Sequence, residues 1–133
     1  MSLLKKVQAF FSAHSETAEA HNDPELRSRY YKATAKKAMD AVQAAAAVRG
    51  GCKVTSVSEE RGEISVQIQK PKSALLVATV ISVRPFETAI DFSVSSDTAL
   101  PTDFGYSRKV ILEFQQKLDG ELKFVGSGLN SGK

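Results

Sequence analysis

The chain has 133 residues, 42% of them hydrophobic and 25% charged, which suits one globular domain that buries roughly two-thirds of its unfolded surface. Eighteen basic residues against fifteen acidic ones give a net charge of +3; outside one acid-free basic cluster at residues 27–37, RSRYYKATAKK, the basic residues are interspersed with acids, so the global charge says little about a partner and a nucleic-acid partner is not expected. One cysteine, Cys52, excludes an internal disulfide and a cysteine-held metal cluster, and no apolar run approaches the roughly 20 residues of a membrane span; the expectation is a cytoplasmic protein.

In chain order, Leu3, Leu4, Val7, Phe10 and Phe11 recur at helical spacing, with Lys5, Lys6 and Gln8 off the stripe. This predicts a short amphipathic helix that needs a surface to dock on, followed by a polar connector to residue 25. The connector HSETAEAHNDPE holds both histidines, His14 and His21, together with Glu16, Glu19, Asp23 and Glu25. A metal site needs three or four ligands held rigidly on packed elements, whereas this stretch has the polarity and capping residues of a solvated link. No metal and no cofactor is expected.

Asp23-Pro24-Glu25 can start a helix running over 24–48. The alternation of RSRYYK and a second cap at Thr34 instead favour a strand over 26–32 and a helix over 35–48, with Ala35, Ala38, Met39, Val42, Ala45 and Ala46 as its apolar stripe and Gly50-Gly51 as its stop. Four strands follow, over 52–58, 63–69, 74–83 and 88–95. The third, ALLVATVISV, is apolar on both faces, as befits a central strand, with Pro71 and Pro85 outside its ends. In the fourth, Ile90, Phe92 and Val94 point in, while Asp91 and Ser93 point out. A helix over 103–118, capped by Thr102 or Asp103 and stopped at Asp119-Gly120, buries Val110, Ile111, Phe114 and Leu118.

These elements predict an α+β fold: a four- to five-stranded antiparallel sheet with two main helices on one face, plus the short N-terminal helix. The chain divides into residues 1–25, a core domain over 26–120 and a largely flexible tail over 121–133. Solvent, the N-terminal helix or a second subunit would cover the other sheet face.

Three motif-like strings carry no chemistry. Asp103-Phe104-Gly105 lacks every other kinase signature, Gly105-Tyr106-Ser107-Arg108-Lys109 has a lysine where a nucleophile elbow needs glycine, and the tail SGLNSGK has no helix to follow it. Arg27, Arg29 and Tyr31 on one strand face could hold single-stranded nucleic acid, but protection of an edge strand is the favoured reading.

RYYKATAKKAMDAVQAA, ERGEISVQIQ, VISVRPFETAIDFSVSS and TDFGYSRKVILEFQQKL, from Tyr30 to Leu118, resemble a bacterial domain family of unknown function, number 1499. The family pattern is a tyrosine-bearing strand, an alanine-rich helix, four strands and a closing helix, with Asp103, Phe104, Gly105 and Arg108 at its most specific part. Tyr106-Ser107 and residues 1–25 depart from it. The wider pattern is also similar to small cytosolic proteins of spore-forming Gram-positive bacteria. Neither resemblance implies an activity.

The leading expectation is a non-catalytic binding module for a small apolar ligand or a protein partner, using a crevice between helices and sheet. Tyr30, Tyr31, Met39, Arg84, Phe92, Phe104, Tyr106 and Arg108 are its candidate binding residues. The alternatives are a peripheral accessory protein that docks on a membrane or protein through Leu4, Lys5, Lys6, Phe10 and Phe11, and, last, an enzyme built on Arg84, Asp91, Asp103 and Arg108, from whose spacing no acid–base pair follows. A homodimer stays open.

Overall fold

Alternation of apolar and polar residues over 63–96 sets the centre of the sheet. The computed structural model describes residues 14–18, 26–96 and 105–127. Within them β1 (His14–Glu16), β2 (Arg29–Lys32), β3 (Cys52–Ser58), β4 (Glu63–Ile68), β5 (Ala74–Arg84), β6 (Glu87–Ser96) and β7 (Lys123–Ser127) form one sheet of antiparallel strands. The order is β3-β4-β5-β6-β2-β7, with β1 also on β6. Helices α1 (Ala35–Arg49) and α2 (Tyr106–Glu121) pack on the inner face, against Ile64, Val66, Ile68, Leu76, Ala78, Ile90, Phe92 and Val94. The side chains between these on the same strands point to an outer face that no described element covers.

Strands β1 and β2 lie end to end along one edge of β6. His14–Glu16 pairs with residues 95–93 and Arg29–Tyr31 with residues 90–88. At the junction the Ala18 N–H donates to the Leu26 carbonyl and the Ser28 N–H to the Ala18 carbonyl, both at 3.0 Å.

The sheet thus has seven strands rather than four or five. β1 falls where the sequence predicts a polar connector and β7 where it predicts a flexible tail, and both are too short for a periodic pattern to show. Contacts distant in sequence hold β7: the Phe124 ring meets Tyr31 edge-on at 5.9 Å, and the Arg29 guanidinium lies 3.9 Å from the Phe124 centroid. β2 is therefore an interior strand, so edge protection does not account for its charges.

Helix α1 begins where Thr34 Oγ1 accepts from the Lys37 N–H at 3.2 Å and ends at Gly50, φ 71°. Helix α2 starts later than expected, with Gly105 rather than Thr102 or Asp103 as N-cap, and runs through Asp119-Gly120. A glycine within a helix costs up to about 1 kcal/mol, and Gly120 lies in the last turn. Here that cost is offset because buried Leu122 donates its N–H to the Leu118 carbonyl at 2.8 Å and Asp119 is gripped by β2. The expected N-terminal helix lies outside the described residues.

Candidate functional site

The sequence candidates do not converge. Tyr31, Met39 and Phe92 are closed into the core, Phe92 beside Phe114 at 5.9 Å. Tyr106 is buried at the start of α2, its hydroxyl donating to the Lys72 carbonyl at 2.8 Å. Arg108 is half-buried on α2, and Tyr30 is half-buried opposite Ala89 on the outer face. Arg84, at the β5–β6 turn, is exposed and pairs with Glu87 at 3.4 Å. Phe104 and Asp103 lie outside the described residues, as do His21, Glu19, Asp23 and Glu25. Among the described residues no group of three His, Cys, Asp or Glu side chains could hold a metal ion, and no helix is long and apolar enough to cross a membrane.

Two polar clusters fasten the sheet. Asp91 points outward, as its place in the strand predicts, but it sits at the break between β1 and β2, where Thr17 and Ser28 donate their hydroxyls to its Oδ1 at 2.5 and 2.6 Å. Thr17 Oγ1 also accepts from the Phe92 N–H at 2.8 Å, so one carboxylate seals the gap in the strand. On the inner face the Tyr31 hydroxyl donates to Asp119 Oδ1 and Arg29 to Asp119 Oδ2, each at 2.7 Å. Burial, and then the bond to Asp119, push the Tyr31 pKa far above the usual tyrosine value, with Arg29 partly opposing. Burial works against the charge on Arg29, but its bonds to Tyr31 and Asp119 outweigh that and raise its pKa.

An open groove of about 610 Å³ lies between the end of α1, the β4–β5 turn and α2, lined by Arg49, Gly50, Gly51, Lys70, Pro71 and Glu113. Arg49 spans it, donating to the carbonyls of Gly50 at 3.0 Å and Lys70 at 3.3 Å and to Glu113 at 3.3 Å. These bonds tie three elements together, and they occupy the groove's most buried cation.

The outer face carries the more telling arrangement. Cross-strand register sets Gln67, Leu75, Ser95 and His14 in one row, then Ser65, Val77, Ser93 and Glu16, then Glu63, Thr79 and Asp91, then Ile81, Ala89 and Tyr30. The column down β5 runs Leu75, Val77, Thr79, Ile81 and Val83: Leu75 is 45% exposed, Ile81 49% and Val83 45%, with Val77 and Thr79 half-buried between them. Val83 is the extra residue of a bulge, since Ser82 pairs with Thr88 and Arg84 already with Glu87. Bulges re-aim side chains and often stand beside functional sites. The two-residue turn that follows is Pro85-Phe86, with Phe86 at φ 62° and its side chain 67% exposed. Proline fixes a negative φ, and the next position, in the left-handed region, is one that favours glycine. A bulky residue there is strained.

Ile81 and Val83 are not candidates from sequence because apolar strand residues read as core, and Phe86 falls in the short link between the strands predicted over 74–83 and 88–95. The available signal was Pro85-Phe86 between two strand-like runs, where a turn calls for Gly or Asn. No protein-family model, curated protein or solved structure matches the chain.

Proposed function

We propose that the protein is a non-catalytic binding module whose working surface is the β5–β6 hairpin with the adjoining outer face, and whose partner is a protein segment presenting an apolar side. Phe86 carries this reading: an aromatic ring held in a strained turn and left two-thirds in solvent does little for the fold that glycine would not do better. Aromatic anchors of this kind dominate binding energy at protein interfaces. Ile81 and Val83 extend the apolar surface beside it. The face is a sheet surface rather than a concavity, and Tyr31, Met39 and Phe92 are spent on the core, so a protein partner suits it better than the small apolar ligand expected from sequence. Kinship with domain family 1499 belongs to the same proposal and adds an order of elements, without an activity.

The test is selection of a random displayed peptide library on the wild-type protein, with every binder re-measured on Ile81→Glu. Peptides with apolar residues along one side, held at least ten-fold more weakly by the variant, are expected. Binders indifferent to the substitution would refute the reading, and so would anionic vesicles binding where peptides do not, which would assign the protein to a membrane surface.

A further inference from the structure

We propose that residues 3–11 of the same chain dock on the half of the outer face nearest β1, over Leu75 and Val77, leaving the hairpin half of Ile81, Val83 and Phe86 to the partner. The inference rests on the same reading of the outer face as a docking surface and divides that surface in two.

Four observations support it. Leu3, Leu4, Val7, Phe10 and Phe11 form one apolar stripe, and a nine-residue helix is unstable without a surface to pack on. His14 sits in the same row as Ser95 and Leu75, two strand spacings or about 10 Å from the exposed leucine. Ser12 and Ala13 can span up to about 7 Å, enough reach for Phe11 and Phe10 to fold back toward that row. The inner face beside β1 is already taken by α2, where the Ser107 hydroxyl donates to Ser15 Oγ at 3.1 Å and Phe114 packs on Phe92.

Charge agrees with geometry. On β4 and β6 the outward charged side chains short of the hairpin are Glu63 and Asp91, both acidic, and the segment brings Lys6 to one flank of its stripe. Length sets the division. A nine-residue helix is about 13 Å long. Leu75 and Val77 are about 7 Å apart along the strand, whereas Leu75 to Ile81 is about 20 Å. The segment covers the first interval and stops short of the hairpin.

The chain has no tryptophan, so Phe10→Trp in the full-length protein is a lone reporter. Its emission should be blue-shifted and shielded from acrylamide several-fold, independent of protein concentration. Adding Leu75→Lys should expose it while the far-ultraviolet circular dichroism is unchanged; Leu75→Asn is the substitute should lysine perturb the fold. Adding Ile81→Glu should leave it shielded. A solvent-exposed indole, shielding that survives both Leu75 substitutions, or shielding lost on dilution, which would mean a second copy, would each overturn the proposal. If the indole is exposed while peptides still require Ile81, the division fails and the binding reading stands. If the indole is shielded over Leu75 while peptides ignore Ile81, the binding reading fails alone.

Discussion

Replacing Phe86 with glycine should make the protein more stable and less able to bind. A non-glycine residue in the left-handed region costs about 1–2 kcal/mol, which glycine relieves. Glycine's greater freedom in the unfolded chain returns about 0.5–1 kcal/mol of that gain. Little packing is lost, because the side chain is 67% exposed. The net gain is about 0.5–1 kcal/mol, a rise in Tm of about 2–4 °C for a domain of this size. Chemical denaturation read by circular dichroism measures it, with the denaturant slope unchanged. Peptides selected on the wild type should lose at least ten-fold in affinity, about 1.4 kcal/mol. Phe86→Ala removes the ring but keeps the strained backbone, so it should lose binding without gaining stability. A Phe86→Gly protein destabilised by more than about 1 kcal/mol would show that the ring belongs to the fold, contrary to the strain argument. Greater stability with unchanged binding would remove Phe86 from the interface.

Asp91→Ala should cost about 2–4 kcal/mol, since it takes the acceptor from two hydroxyl donors and leaves the fully buried Ser28 hydroxyl unpaired; thermal melts check it, and a loss under about 1 kcal/mol would contradict the clasp. Because Tyr31 holds its proton in the fold more tightly than in the unfolded chain, its contribution is fully present below about pH 10 and declines above it by up to about 1.4 kcal/mol per pH unit. Tyr31→Phe should flatten that alkaline decline in stability against pH, and an unchanged slope would be the contrary result. Gly62→Ala should destabilise by more than about 2 kcal/mol, because Gly62 has φ 68° and an added Cβ would press into the Val80 carbonyl; near-native melting of that variant would show that the β3–β4 turn gives way.

Elements with a long repeating pattern were legible in the sequence. Ile64, Val66 and Ile68 alternate with polar residues and form β4, and the alanine stripe before Gly50-Gly51 forms α1. What local pattern could not show was made by contacts distant in sequence: β7 held by Tyr31 and Arg29, and the last turn of α2 kept wound through Gly120 by Leu122 and Asp119. The same limit applies to the site. ALLVATVISV shows two apolar faces, but not that the described elements would cover only one of them. Asp91 was correctly placed facing out, yet its role in closing the gap between β1 and β2 depends on Thr17 and Ser28, which lie more than sixty residues away in sequence.

The most direct test of the binding reading is an amide and methyl NMR footprint of the wild-type protein titrated with its tightest selected peptide. The predicted result is perturbation centred on Ile81 and Val83, with the amides of Arg49, Gly50, Gly51 and Lys70, which line the groove, unmoved. Perturbation centred on that groove, with Ile81 and Val83 silent, would contradict it and move the functional surface to the far end of α1.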